Sequence, residues 1–179
     1  MHPILDGFLL RKPEPTDVEA LYRQKNDPEV GALLGGFTSG YSRRDLEGWV
    51  EHHRTHRSEV LWVIAEAETD RAVGHVGLYE IDYRVRTAEF AIMLGDKSVW
   101  GKGLGRACTR FAVRYGFEQL NLHRVSLQVL ETNTRAQQLY KSLGFVEEGR
   151  LRQAQYKSGR YLDVLLMSIL RTEHRSDDR

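Results

Sequence analysis

Residues 99–107 contain three alternating glycines, Gly101, Gly103 and Gly105, between a predicted strand and a predicted helix. Glycine lets the backbone approach a ligand without a side-chain clash. The first amides of the following helix have no partner within the helix and lie at its positive dipole end. This arrangement binds a phosphate or pyrophosphate group, and Lys102 and Arg106 add positive charge. A tight turn without a ligand is the alternative, because a glycine loop alone is weak evidence.

Two other phosphate-binding loops do not fit these residues. The Walker A loop requires Gly-Lys followed by Ser or Thr, whereas Gly103 follows Lys102. The dinucleotide fingerprint requires a third glycine three residues after the second, and Arg106 occupies that place when Gly101 and Gly103 are aligned with it. That fingerprint also belongs to the first βα turn of a parallel sheet, whereas several predicted antiparallel strands precede this loop.

The chain of 179 residues is the length of one domain. We assign residues 1–172 to this domain and residues 173–179 to a polar C-terminal tail. A net charge of +1 gives no reason to expect a nucleic acid or a membrane as partner. Cys108 is the single cysteine, which excludes an internal disulfide. Because no signal peptide or long apolar stretch is evident, we expect a cytoplasmic protein.

Hydrophobic periodicity predicts an α/β fold with a mixed, mostly antiparallel sheet flanked by helices. Thr16 is expected to cap the first helix, residues 31–40 to form a mobile loop, and Ser42 with Asp45 to form the capping box of the second helix. The predicted strands are 8–11, 60–67, 72–83, 88–94 and 125–130, followed by a closing hairpin within 145–170. The later predicted helices are 106–120 and 133–143.

A second motif follows in residues 131–145, with Asn133, Ala136, Tyr140 and the pair Gly144-Phe145. Together with the glycine loop, it resembles the two halves of the acetyl-CoA site of the GNAT superfamily of N-acetyltransferases. The resemblance extends more weakly from Phe8 to Leu170 and implies the GNAT acyl-CoA N-acyltransferase fold.

Shorter stretches are similar to one branch of that superfamily, the polyamine and ribosomal-protein N-terminal acetyltransferases. These stretches are 88–90, 100–103, 115–117, 120–122 and 148–149. One position departs from the wider family pattern. Many members have Gln or Arg three residues before Gly103, where this chain has Trp100, although an aromatic residue is frequent there in this branch.

The resemblance implies that acetyl-CoA is the co-substrate and that no metal is required. Strand 88–94 would contribute a bulge and diverge from strand 125–130, so that its backbone pairs with the pantetheine arm and supplies an oxyanion donor. Asn133 would both cap its helix and contact the cofactor. The implied cofactor-binding residues are Ile92, Met93, Leu94, Gly101, Lys102, Gly103, Leu104, Gly105, Arg106 and Asn133.

The resemblance also implies the catalytic residues. Tyr140 matches the family's general acid, and a phenol with an ordinary pKa near 10 returns a proton to a departing thiolate; the alternative is a core tyrosine. Glu89 is the candidate base, and its alternative is a solvent-facing carboxylate. Glu80 matches an acidic position of the polyamine branch and, with Asp82, would attract a cationic substrate, unless both are simply exposed.

Two further patterns are candidate sites with a plainer alternative. His52, His53 and His56 lie at helical spacings that suit a metal, but their order differs from the zincin motif and no third type of ligand is evident. We therefore predict a solvated face. Cys108 as an acyl-carrying nucleophile would require a ping-pong route, and structural burial is the favoured interpretation.

The predicted reaction is direct transfer of the acetyl group to a primary amine in a ternary complex. A small-molecule amine is favoured over the N-terminal amine of a protein, such as a ribosomal protein. A non-catalytic acyl-CoA-binding sensor is the alternative of another class. Residues 31–40 lack the acidic cluster expected of a dedicated polyamine site, which argues against spermidine itself. A homodimer is expected only from the habit of the branch.

Overall fold

The computed structural model describes residues 1–36, 39–56 and 58–174. The strands are His2–Leu5 (β1), Phe8–Arg11 (β2), Val60–Glu66 (β3), Ala72–Asp82 (β4), Thr87–Leu94 (β5), Arg124–Leu130 (β6), Val146–Lys157 (β7) and Arg160–Leu170 (β8). The helices are Val18–Lys25 (α1), Pro28–Leu33 (α2), Arg43–Thr55 (α3), Leu104–Glu118 (α4) and Thr134–Ser142 (α5).

These strands form one sheet in the order β1-β2-β3-β4-β5-β6-β8-β7. The described neighbours are antiparallel except β5 and β6, which are parallel. The parallel pairing covers only Thr87–Glu89 of β5 against Arg124–Ser126 of β6. Beyond these residues the two strands diverge. The predicted α/β class with a mostly antiparallel sheet is confirmed.

Helices cover both faces of the sheet, as the side chains of β4 show. Val76 and Leu78 belong to the core cluster that contains the inner face of α4. Successive side chains of a strand point to opposite faces, and the ring of His75 contacts Trp49 of α3. Helices α1 and α3 therefore lie on the face opposite α4.

Helix α4 packs its apolar face into the core beside the sheet. Its buried residues include Leu104, Cys108, Ala112, Val113 and Phe117. Burial of one side chain of the size of Phe117 stabilises the fold by about 1.5–3 kcal/mol. The thiol of Cys108 has no exposed surface, so the expectation of structural burial agrees with its position.

The first helix begins differently from the prediction. Thr16 lies inside a short 3₁₀ turn, Pro15–Asp17, and does not cap α1. Asp17 is the residue that organises this end, because its carboxylate accepts the Glu14 amide and both terminal nitrogens of Arg11 at 2.8 Å. Arg11 is itself buried, and a buried guanidinium requires such a partner.

Three other boundaries correct the prediction. Residues 31–33, expected in a mobile loop, belong to α2. Asp27 caps this helix, because its carboxylate accepts the amides of Glu29 and Val30. Residues 37 and 38 of the expected loop lie outside the described ranges. Strand β1 was not predicted. Helix α4 begins at Leu104, so Gly105 lies in its first turn. The capping box of Ser42 and Asp45 is confirmed.

The expected bulge lies on β4 and not on β5. Between the pairs Tyr79–Glu89 and Asp82–Thr87, β4 has one residue more than β5. Glu80 adopts a left-handed conformation at a φ of 50°, which accommodates the extra residue. Strand β5 keeps regular pairing with β4 from Glu89 to Leu94.

None of the helices in the described ranges combines the length and apolarity that a membrane span requires.

We predict that Gly74→Ala destabilises the protein by about 1–3 kcal/mol, because the new Cβ would overlap the backbone carbonyl of Met93 on β5. Gly48→Ala is the matched control. Gly48 lies in α3, and a Cβ added to it would have no neighbouring heavy atom within 4 Å, so alanine should stabilise by about 0.5–1 kcal/mol. Urea unfolding of both variants measures these changes. Wild-type stability of Gly74→Ala would contradict the close β4–β5 contact.

Candidate active site

The divergence of β5 from β6 leaves backbone groups of β5 without a strand partner. The Ala88 carbonyl faces β6, because the Ser126 hydroxyl lies 3.4 Å from it. Backbone groups alternate in direction along a strand, so those of Phe90, Ile92 and Leu94 also face β6. Past Glu89, however, β5 is no longer paired with β6. The gap between these strands can therefore take up an extended chain carrying amide groups.

The ten cofactor-binding residues predicted from the sequence do not all present their backbone to this gap. The Met93 carbonyl oxygen lies against Gly74 of β4, because the backbone groups of Met93 point away from β6, opposite to those of Ile92 and Leu94. Met93 lines the cavity described below with its buried side chain. The backbone role predicted for Ile92 and Leu94 fits the geometry, and that for Met93 does not.

Trp100 ties the glycine loop to the end of β5. Its indole nitrogen donates a hydrogen bond of 2.9 Å to the Leu94 carbonyl. The ring also packs against both apolar clusters beside the sheet. Trp100 thus fixes the position of the glycine loop. It does so from the position where many members of the wider family have Gln or Arg.

The loop then turns into α4 through two glycines. Gly101 and Gly103 have φ angles of 81° and 83°, a left-handed conformation that favours glycine. The first helical hydrogen bond joins the Ala107 amide to the Gly103 carbonyl. No side chain in the described ranges caps this end of the helix. The preceding amides are therefore available to an anion at the positive end of the helix dipole.

Positive side chains surround this helix terminus. Arg106 donates to the Ser142 hydroxyl at 2.7 Å, which joins α4 to α5. Lys102 is exposed on the loop. The Arg135 guanidinium lies 3.6 Å from the position of a Cβ on Gly101. Sequence reasoning missed Arg135, although it lies within the second motif, because its approach to the loop depends on how α5 packs.

A first cavity of about 330 Å³ extends from this loop into the gap between the strands. It is bounded by β5, the loop, the first turn of α4, the start of α5 and part of α2. Its lining includes Val30, Leu33, Leu34, Ile92, Met93, Leu94, Trp100, Gly101, Gly103, Leu104, Gly105, Arg106, Asn133, Arg135 and Tyr140.

Asn133 stands between the first cavity and α2. Its side-chain oxygen accepts the Ala136 amide at 3.2 Å, as the predicted cap of α5 requires. Its side-chain nitrogen donates to the Leu33 carbonyl at 3.2 Å. Asn133 therefore fixes both the start of α5 and the position of α2 above the gap, and it borders both the first cavity and a second one.

The second cavity, of about 320 Å³, lies on the other side of Tyr140. It is formed by the two diverging strands, the end of α2 and the β7–β8 hairpin. Its lining includes Leu33, Leu34, Gly35, Gly36, Glu89, Phe90, Ile92, Gln128, Leu130, Asn133, Tyr140, Gln155 and Val164. Gln128 and Gln155 were not recognised from the sequence, because glutamines on strands form no motif.

Tyr140 borders both cavities. Its ring is held by an edge-to-face contact with Phe90 and a tilted contact with Phe145, at centroid distances of 6.0 and 5.7 Å. Only 8% of the residue is exposed, and burial raises the pKa of its phenol to about 12. Tyr140 therefore carries its proton throughout the physiological pH range.

A pKa of about 12 suits proton donation to a thiolate in the same dry environment. In water a thiol with a pKa near 8.5 would be a poor match for this phenol. Burial raises the pKa of the Cys108 thiol in this protein to about 12 as well. Desolvation beside Tyr140 would also raise the pKa of a released thiolate and so bring it closer to that of the phenol.

Glu89 lines the second cavity and faces partly into it. Burial raises the pKa of its carboxyl, and the nearby negative charge of Glu80 raises it further. The β4 bulge thus brings Glu80 close to Glu89, a proximity that strand register alone left open. A carboxylate with a raised pKa is a stronger base, and it loses this function as the pH falls through that pKa.

Asp82 is placed differently from Glu80. Its carboxylate accepts the backbone amides of Arg84 and Val85 at 2.8 and 2.9 Å, which fixes the β4–β5 turn. Like Glu80, it does not line either of the two cavities, and unlike Glu80 its charge has no effect on the pKa of Glu89. These hydrogen bonds give Asp82 a structural role in the turn that requires no substrate.

Comparison with known proteins places these features in a family. Residues 8–146 match the family described as the acetyltransferase (GNAT) domain. A spermidine N(1)-acetyltransferase of Vibrio cholerae is 34% identical, over 92% of this chain and 94% of its own. An uncharacterized N-acetyltransferase, p20, of Bacillus licheniformis is 33% identical, over 94% and 96%.

Solved structures agree with the sequence comparison. The crystal structure of spermidine N-acetyltransferase from Vibrio cholerae in complex with CoA and spermine superposes with a TM-score of 0.84. It is 32% identical in sequence, and the match covers 94% of this chain and 98% of that chain.

We predict that Tyr140→Phe lowers kcat by about 10²–10⁴-fold, the usual contribution of a positioned proton donor. The affinity for acetyl-CoA should stay unchanged, since the ring remains in place. Thiol release at saturating amine measures kcat, and calorimetry measures the affinity.

Tyr115→Phe is the matched control, because Tyr115 packs on Trp62 and Phe111 away from both cavities. It should retain wild-type kcat. Full turnover by Tyr140→Phe would exclude the phenol as the acid.

Proposed function

The chain belongs to the GNAT acetyltransferase family and transfers the acetyl group of acetyl-CoA to an amine, and from this premise we propose that its acceptor is a small cationic amine. The observation that supports this most directly is the position of Tyr140. It separates a cavity that begins at an anion-binding helix terminus from a cavity that contains a carboxylate.

The residues of the first cavity fit acetyl-CoA. The free amides at the start of α4, with Lys102, Arg106 and Arg135 nearby, suit a pyrophosphate. The backbone groups of Ile92 and the amide of Leu94 suit the amides of a pantetheine arm, while the Leu94 carbonyl accepts Trp100. When bound, acetyl-CoA supplies an acyl group activated as a thioester.

In the proposed mechanism Glu89 accepts a proton from the incoming ammonium, directly or through water. This leaves a neutral amine with a lone pair for attack. The backbone amide of Ile92 or Leu94 donates a hydrogen bond to the acyl oxygen as its negative charge develops. As the C–S bond breaks, Tyr140 donates its proton to the leaving sulfur, and its phenolate regains a proton from the nitrogen of the new amide. The amine attacks directly, and Cys108 takes no part because it is buried in the core.

The second cavity favours a small molecule over the N-terminus of a protein. The segment 31–36 crosses it, and side chains from β7 and the start of α5 hold it in place. The Gly31 carbonyl accepts Lys157 Nζ at 3.0 Å, the Leu33 carbonyl accepts Asn133, and the Gly36 amide donates to Gln155 at 3.0 Å. A polypeptide would have to displace this segment, whereas a small amine fits within about 320 Å³.

A second positive charge on the acceptor would interact with carboxylates on the sheet. Segment 31–36 contains no acidic residue, which is why the sequence argued against spermidine. Glu80 and Glu89 supply negative charge from β4 and β5 instead. The spermidine N(1)-acetyltransferases among the relatives agree with an acceptor of this class.

We further propose a cytoplasmic homo-oligomer. The Vibrio cholerae relative has a dodecameric structure. The edge strand β7 exposes the large apolar residues Val146, Leu151 and Tyr156, a surface suited to contact with a second copy. A homodimer is the smallest assembly that would cover it.

The acceptor class is tested with spermidine, a monoamine of similar length and a short peptide with a free N-terminus. We expect the highest kcat/KM for spermidine. Glu80→Gln should raise the KM for spermidine about 2–5-fold, as expected for one partly exposed charge pair, and leave the monoamine unaffected. Glu118→Gln, an exposed acid on α4, serves as the control.

A peptide acetylated better than spermidine would overturn the small-amine proposal in favour of a protein N-terminus. Binding of acetyl-CoA without transfer to any of these amines would contradict the proposed acceptor class.

A further inference from the structure

A cluster of two imidazoles and a carboxylate lies where α3 ends and β3 begins. His52 is in the last turn of α3, His56 follows that helix, and Glu59 precedes β3. One possible ligand atom from each residue lies within 4.8 Å of the others. The sequence pattern favoured a solvated helix face for these histidines, because no ligand type besides histidine was evident. The turn brings Glu59 to the histidines and supplies that ligand.

Glu59 is held in an unusual environment for a carboxylate. Its side chain is only 11% exposed, and its Oε1 atom is buried. His52 Nε2 lies 2.6 Å from this oxygen and His56 Nδ1 lies 3.8 Å from it. The imidazoles of His52 and His56 thus converge on one buried carboxylate oxygen, and a cation held between the three atoms would contact all of them.

The spacing of the three atoms suits a zinc ion. Ligands about 2.0–2.2 Å from a tetrahedral Zn²⁺ lie about 3.4 Å apart. The two distances from Glu59 Oε1, 2.6 and 3.8 Å, lie on either side of that value. Small rotations about side-chain bonds are therefore sufficient. Imidazole nitrogen and carboxylate oxygen are also ligand types that Zn²⁺ accepts readily.

His53 lies beside Glu59 and helps to position its carboxylate. Its Nδ1 lies 2.7 Å from the Trp49 carbonyl, which directs Nε2 toward Glu59 Oε2 at 3.8 Å. Such an outer partner orients a ligating carboxylate. Ser58 is a competitor, because its hydroxyl lies 2.9 Å from His56 Nδ1. Binding of a metal through that nitrogen would replace this exposed hydrogen bond.

We propose that His52, His56 and Glu59 form a zinc site with a fourth position open to water. The two histidines are about half exposed, so the ion has access from solvent. The site joins the end of α3 to the start of β3. The same turn binds β4 beside its bulge, since the Ser58 carbonyl accepts the Ile81 amide at 2.9 Å. Zinc would thus stabilise the backbone that positions Glu80.

The test uses the full chain without an affinity tag, after treatment with a chelator. Calorimetric titration with Zn²⁺ should show one site per chain, and excess zinc should raise Tm by roughly 5–10 °C. His52→Ala, His56→Ala and Glu59→Gln should each weaken zinc binding by about tenfold or more. X-ray absorption should show nitrogen and oxygen ligands without sulfur.

Two controls separate ligation from a general effect. His123→Ala removes an exposed histidine elsewhere and should leave zinc affinity unchanged. Ser58→Ala changes the same turn and removes the competitor, so affinity should stay equal or increase. Absence of zinc binding to the wild type in the micromolar range would overturn the proposal, as would wild-type affinity in the three ligand variants.

Discussion

The parallel pairing of β5 with β6 ends at Glu89 and Ser126, and both cavities depend on the divergence that follows. A sheet that continued to pair would bury the backbone groups of Ile92 and Leu94 in hydrogen bonds. The gap keeps the backbone groups of Ile92 and the amide of Leu94 available, and α5 borders it through Asn133 and Tyr140. Tyr140 then lies where the strands, the helix and both cavities described above meet.

Unpaired backbone groups beside a core are destabilising unless another partner satisfies them. In this fold the partners come from several elements. Trp100 satisfies the Leu94 carbonyl, Asn133 satisfies the Leu33 carbonyl, and the remaining groups of the gap are left for a ligand. The glycine loop has the same property, since the first amides of α4 have no capping side chain among the described residues. The backbone groups that the fold leaves without a hydrogen-bond partner are therefore the groups that would bind the ligand.

Local chemistry explains what could be predicted from the sequence. The glycine loop, the Ser42 capping box and the Asn133 cap depend on residues close in the chain, and the structure contains each of them. Features that depend on strand register or on packing between distant elements were missed or misplaced. The direction of the Met93 carbonyl, the bulge at Glu80 and the approach of Arg135 to the loop belong to this group. Their positions follow from the whole sheet and have no sequence motif.

A crystal structure of the protein with coenzyme A would test the role of the strand divergence most directly. We predict the pyrophosphate on the amides at the start of α4 and the pantetheine amides on Ile92 and Leu94, between β5 and β6. The sulfur should lie next to the hydroxyl of Tyr140. A pantetheine arm outside the gap, or a sulfur remote from Tyr140, would contradict the claim that the strand divergence forms the active site.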